Sequence, residues 1–253
     1  FSGNFELFSI AAALFCLALV PVSLTRSTAP SLVESPRLTL GDLKRLAPVA
    51  VAGCAASGLA SSAFYSLIPA YAQIEGISHE AISAYIATAI FGGLAFQIPV
   101  GKLSDRFDRR LVAAAVAIGL CTTALVLAVV QLPQAMIFIG TFILGGFLAT
   151  IYPVCVAHAN DRVSSDRIVA VSGQLILTNG IASFLGPIIG TTVMGIAGIE
   201  GVFAYMAVVA AIFSAIAIWR TIFVQAAAPK ERPFVVLDSR MSQPIAHVVE
   251  EEN

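Results

Sequence analysis

Gly101-Lys102-Leu103-Ser104-Asp105-Arg106-Phe107-Asp108-Arg109-Arg110 decides how this chain of 253 residues is read. Six of the ten residues are charged, and the sequence on either side, Ala81–Val100 and Leu111–Leu132, is apolar over a bilayer's length of about twenty residues. A charge cluster between two such runs marks a short connection at a membrane boundary. A merely solvated loop would need the same composition, but the order here is more particular. Gly101 is expected to allow close backbone approach where the helix ends. Asp105 is placed to meet the positive N-terminus of a neighbouring helix. Arg106, Arg109 and Arg110 can pair with acidic groups or lipid headgroups.

Away from this stretch charge is scarce. Lys and Arg number 14 and Asp and Glu 15, so 11% of the chain is charged, against about 25% in a soluble domain. The hydrophobic fraction is 58% and the mean hydropathy is +0.91. So few charges cannot cover a compact soluble domain. A net charge of −1 without a basic stripe excludes nucleic acid as a partner. Cys16, Cys54, Cys121 and Cys155 lie inside apolar runs and read as small hydrophobic residues. No C-x-x-C spacing suggests a disulfide framework or zinc site. His79, His158 and His247 are scattered, so neither a metal cluster nor a catalytic triad can be assembled. The chain reads as a non-enzyme, with no cofactor and no metal implied.

Seven stretches are long enough to span: Phe5–Leu24, Leu46–Ala72, Ala81–Val100, Leu111–Leu132, Ala135–Ala159, Ile168–Ala197 and Val202–Val224. The predicted fold class is an all-α polytopic membrane protein. Thr25–Arg45 is the one long connection, and Gln225–Asn253, ending Glu250-Glu251-Glu252-Asn253, reads as a disordered polar tail. Residue 1 is Phe, and no basic region precedes the first apolar run, so the chain is expected to begin part-way through a longer protein. All fourteen Lys and Arg fall on one side of these spans, and the other side holds Glu6, Glu75, Glu80 and Glu200. By the positive-inside rule the basic side is cytoplasmic, which puts the N-terminus of this chain outside and its C-terminus inside. Seven spans in that orientation also describe a receptor or sensor that translocates nothing. That alternative is a poor fit: no lysine lies mid-span for a retinal Schiff base, and no outer cysteine is available for a disulfide.

The Gly101–Arg110 run resembles motif A of the major facilitator superfamily, G-x-L-x-D-R-x-x-R-R, and matches it at Gly101, Leu103, Asp105, Arg106, Arg109 and Arg110. In that family the motif follows the second helix and recurs after the eighth. A longer basic linker precedes six spans here, so the resemblance implies the second copy. Residues 1–24 would then be the last helix of an N-terminal half, 25–45 the central cytoplasmic loop, 46–224 a six-helix C-terminal half and 225–253 a cytoplasmic tail. The sequence texture around Tyr65…Pro69, Gln97-Ile98-Pro99, Tyr152-Pro153 and Leu185-Gly186-Pro187 is similar to a bacterial inner-membrane branch of drug-exporter-like architecture.

Internal symmetry points the same way. Spans two to four and five to seven form two triplets with matching punctuation. Tyr65…Pro69 answers Tyr152-Pro153, and Phe96…Pro99…Gly101 answers Phe184…Gly186-Pro187…Gly190. Such three-plus-three inverted repeats are the expected build of a transporter half. Pro69, Pro99, Pro153, Gly180, Gly186, Pro187 and Gly190 are read as helix-packing or kink residues. The Gly186-Pro187-x-x-Gly190 run is similar to the antiporter motif of drug/proton exchangers. It lies on the eleventh rather than the fifth helix, so it supports the repeat better than it supports antiport.

The resemblance places the substrate cavity along the first helix of each triplet. Candidates there are Ser57, Ser61 and Tyr65, which share one helix face, and Thr150 and Tyr152, with Gln97, Gln174 and Asn179 as amides in other spans. A single hydroxyl reads first as helix-packing glue. The two phenols are stronger candidates because a buried phenol needs a partner. His158 reads as a polar residue near the loop, with a proton relay as the alternative. No charged residue lies mid-span, so a coupling carboxylate is expected in the missing N-terminal half. The implied function is secondary active transport of small solutes by alternating access in the cell membrane. The implied partners are a small-molecule substrate, the lipid bilayer, that missing half and, where transport is coupled, protons.

Overall fold

The computed structural model describes residues 5–24, 39–74, 76–130, 132–164, 167–198 and 200–223. It contains eight α-helices, and no strand occurs among the described residues: α1 (Phe5–Leu24), α2 (Leu40–Leu46), α3 (Pro48–Ile74), α4 (His79–Arg106), α5 (Arg109–Val129), α6 (Gln134–Asn160), α7 (Ile168–Ala197) and α8 (Gly201–Phe223). The fold is all-α and polytopic, with α3 to α8 each long and apolar enough to cross a membrane. The twenty residues of α1 contain a shorter apolar stretch, Phe8–Pro21. This helix belongs to a unit of its own, Phe1–Glu34, apart from the unit that begins at Ser35. The tail 225–253 lies outside the described residues.

Local chemistry sets the helix boundaries. Ser78 caps α4 by accepting from the Ala81 amide at 3.3 Å, and Asp108 caps α5 by accepting from the Arg110 amide at 2.9 Å. Gly198, at φ +85°, ends α7 in a conformation that disfavours a side chain. The helices run on through Pro69, Pro99, Pro153 and Pro187.

One expectation is refined and one corrected. The end of the connection 25–45 is itself a short helix, α2, which folds over a capping box. The Asp42 amide donates to Thr39 Oγ1 at 3.3 Å, and Asp42 Oδ2 accepts from the Thr39 amide at 3.2 Å. The motif is not a loop from Gly101 onward. Residues 101–106 complete α4, and Asp108 starts α5 after a single extended residue, Phe107. Gly101 is thus a helix-interior residue, and a Cβ added there would touch nothing.

Three helix pairs dominate the packing: α4 on α6, α3 on α7, and α5 on α8. Exchanging the triplets α3–α5 and α6–α8 turns the first pair into the second and the third into itself. The lesser α5–α6 contact likewise becomes α8–α3. The repeat seen in the sequence is therefore a packing symmetry. With three helices per triplet, the second copy crosses the membrane in the opposite sense.

Both equivalent pairs depend on missing side chains. A Cβ on Gly92 would collide with the Phe142 carbonyl and one on Gly145 with the Ala89 carbonyl, so α4 and α6 touch backbone to backbone. Between α3 and α7, Gly58 meets the Asn179 carbonyl, and Gly186 meets Ser62 and the Leu59 carbonyl. Gly190 is buried against Leu67, whereas Gly180 opens onto free space. Phe64, Leu144, Ile151, Leu175, Met206 and Phe213 fill the core between these contacts. The most buried helices are α3 and α8, and the least buried are α4 and α7.

Candidate functional site

Two arginines organise the end of the bundle that carries the motif. Arg109, the first residue of α5, reaches in three directions. Its Nε donates to Asp161 Oδ2 beyond α6 at 2.6 Å, Nη2 to Asp105 Oδ1 at 3.1 Å and Nη1 to Ser104 Oγ at 3.2 Å. One guanidinium therefore ties the ends of α4, α5 and α6 together. Arg110 follows, only 4% exposed. Its Nη2 donates to Asp108 Oδ2 at 2.8 Å and its Nε to both carboxylate oxygens at 3.2 Å. Nη1 continues to the Arg220 carbonyl in the last turn of α8 at 3.0 Å. Such charge-assisted contacts are short and directional. Burial works to raise the Asp108 carboxyl, but the hydrogen bonds and charge of Arg110 outweigh it and hold the group below the ordinary aspartate value.

Asp105 is 70% exposed at its side chain and pairs with Arg109, four residues on. Its expected meeting with the end of a neighbouring helix reduces, among the described residues, to this contact with α5. Leu103 and Arg106 are exposed. Below the clamp, His158 is buried on α6 and Arg162 Nη1 lies 2.8 Å from both of its ring nitrogens.

A second polar locus forms where α3, α6 and α7 meet. Asn179 Nδ2 donates to the Cys54 carbonyl at 3.0 Å, joining α7 to the first third of α3. Tyr152, part-buried on α6, stands three residues before Cys155, whose Sγ lies against Gly53 of α3. Ser57, one turn beyond Cys54, is buried. The structure thus brings Tyr152, Asn179 and Ser57 to one level. Ser61 is part-buried, and Tyr65 is 42% exposed, its ring edge-on to Phe64 at 5.1 Å. Thr150 stands apart, fully occupied within its own helix by the Gly146 and Phe147 carbonyls at 3.0 and 3.1 Å. Gln174 is part-buried on α7, and Gln97 sits on the open face of α4 instead of being enclosed. No group of three metal-ligating side chains occurs among the described residues.

Asp161, Arg162 and the Arg220 carbonyl were missed at the sequence level. The signal for the first two was present: α4 ends Asp105-Arg106 and α6 is followed by Asp161-Arg162, the same acid–base pair at two helix ends on one side. A backbone carbonyl 110 residues from its partner leaves no such mark.

Two inverted triplets of spanning helices, clamped at one end by arginine pairs and bearing a neutral polar junction between them, define one half of a multi-pass membrane protein of the transporter type. The sequence profile of the Major Facilitator Superfamily matches residues 50–238, and the chain belongs to that family. Curated relatives carry the name uncharacterized MFS-type transporter YcaD. The protein from Escherichia fergusonii is 30% identical over 181 residues, covering 69% of this chain and 45% of its own length. That from Salmonella arizonae is 34% identical over 144 residues, 56% of this chain and 36% of its own. That from Escherichia coli O139:H28 is 33% identical over the same shares. The chain spans less than half the length of these relatives. No solved structure matches it. The receptor alternative finds no support in the family match.

Proposed function

We propose that this chain forms the C-terminal half of a secondary active transporter that moves small solutes across the cell membrane by alternating access. One observation carries the reading. The contacts α4–α6 and α3–α7 are interchanged by swapping the two triplets, under a motif whose arginines fasten the ends of α4, α5, α6 and α8 into one piece. A half built this way moves as a unit against a second half, as rocking about a midplane site requires. The relatives' greater length leaves room for that second half. The motif end, rich in Lys and Arg, faces the cytoplasm.

Tyr65, Tyr152, Asn179, Gln174, Ser57 and Ser61 contact the solute, all as neutral groups. Coupling to protons, where it operates, falls to a carboxylate in the other half, because no Asp or Glu lies mid-span in α3 to α8.

Asp105 serves as the latch between halves, its exposed carboxylate shared between Arg109 and the opposing half. Full-length protein bearing Asp105→Asn, reconstituted in vesicles, is expected to insert normally and to transport about tenfold more slowly, corresponding to a lost bias of about 1.4 kcal/mol between states. Unchanged rates would remove the latch from the mechanism.

A further inference from the structure

We propose that α2 and the first turn of α7 bind the phosphate headgroup of an anionic phospholipid through Lys44, Arg45 and Arg167. The scaffold is fixed. Leu43 and Ala47 are fully buried and Leu40 packs on the same core, so one face of α2 is anchored on α3 and α7. The other face leaves Lys44 and Arg45 exposed, and Arg167 is exposed at the start of α7. α2 packs on α7, which brings Arg45 and Arg167 to one end of the bundle, both within electrostatic reach of the Asp42 carboxylate. Asp42 is itself occupied by Thr39, whose hydroxyl donates to it at 2.6 Å. Among the described residues, three cations against one engaged carboxylate leave the patch positive.

Depth selects the ligand. α2 is joined to α3 through one non-helical residue, Ala47, at φ −139° and ψ 63°. Its amide donates to the Leu43 carbonyl at 2.8 Å and its carbonyl accepts from the Val51 amide at 3.2 Å. Lys44 and Arg45 therefore stand four and three residues before Pro48, the first residue of a spanning helix. That is headgroup depth, where long basic side chains extend toward phosphate. Leu46, exposed beside Arg45, offers contact to the acyl boundary, which a soluble anion would not use. The family's transport motif lies elsewhere, and this site does not depend on transport.

The test uses full-length protein in detergent, its thermal unfolding followed while dioleoyl phosphatidylglycerol or dioleoyl phosphatidylcholine is titrated in. Phosphatidylglycerol is expected to raise the Tm and phosphatidylcholine to leave it unmoved. About 0.5 M sodium chloride should abolish the shift. Combining Lys44→Gln, Arg45→Gln and Arg167→Gln should move the titration midpoint up about fivefold for each cation lost. Lys102→Gln, an exposed cation outside the patch, should titrate as wild type. Should the triple variant fail to fold, Arg167→Gln alone makes the same comparison. An unchanged midpoint in the patch variants, an equal response to phosphatidylcholine, or an equal shift from inorganic phosphate would each overturn the lipid site.

Discussion

A guanidinium as enclosed as that of Arg110 must keep its counter-charge, and Asp108 supplies it from two positions back. Removing one member of a buried pair takes away much of the other charge's compensation, which costs more than the pair contributes. Asp108→Asn should lower stability by about 2 kcal/mol, a figure reduced for the partial exposure of the carboxylate. Thermal unfolding in detergent measures it. The pH dependence has a definite sign. Because Arg110 holds the folded carboxyl below its unfolded value, the stabilisation is complete above about pH 4 and is lost as pH falls through the lower folded value. Wild-type protein should therefore lose stability on acidification below about pH 4 more steeply than Asp108→Asn. Parallel acid limbs would show that Asp108 is not the group responsible. The Asp108–Arg110 spacing could be read from the sequence. The Arg220 carbonyl could not, because nothing in a residue's type reports which distant backbone atom its fork will reach.

Elements were legible to different degrees for one physical reason: a spanning helix must be apolar throughout, and a short surface helix need not be. Ala81–Val100 was evident from hydropathy, yet α4 continues to Arg106, since the charged residues leaving the bilayer remain good helix formers. The seven residues of α2 carry too little periodicity to stand out, and their one mark was Thr39-x-x-Asp42. Helix pairing was less legible still. Gly186 was expected at a contact and is at one, while Gly180, six residues before it, faces open space. The pair α4–α6 offers the sharper test. Gly92→Val drives a branched side chain into the Phe142 carbonyl and should cost about 1–3 kcal/mol or more. Gly180→Ala meets nothing within this chain, so in residues 35–253 expressed alone it should be neutral, or stabilising by about 0.5–1 kcal/mol through helix propensity. Detergent-solubilised variants compared by size-exclusion profile and Tm decide the matter. Equal tolerance of both would mean that α4 and α6 do not meet at Gly92.

For the molecule as a whole, hydropathy separates membrane from water but cannot separate lipid from a partner helix, because both are apolar. All the open faces carry large apolar side chains, such as Leu125 on α5, Ile212 on α8, Phe91 on α4 and Phe184 on α7. The open face of α4 adds Gln97, and that of α7 adds Gly180. A carboxamide in lipid lacks partners, and a glycine in lipid gives up packing that a close helix would use. The two least buried spans are therefore the surface we propose a companion half to cover, and the proposed cavity residues Tyr152 and Asn179 lie on α6 and α7. In full-length protein carrying single cysteines, a membrane-dissolved thiol-reactive probe should label positions 125 and 212 readily. Positions 91 and 184, where Phe91 and Phe184 stand exposed on α4 and α7, should be protected. Expressing residues 35–253 alone should expose both positions to the probe. Labelling at 91 and 184 that is as fast in the full-length protein as at 125 would place lipid on those faces and remove the argument for a companion half there.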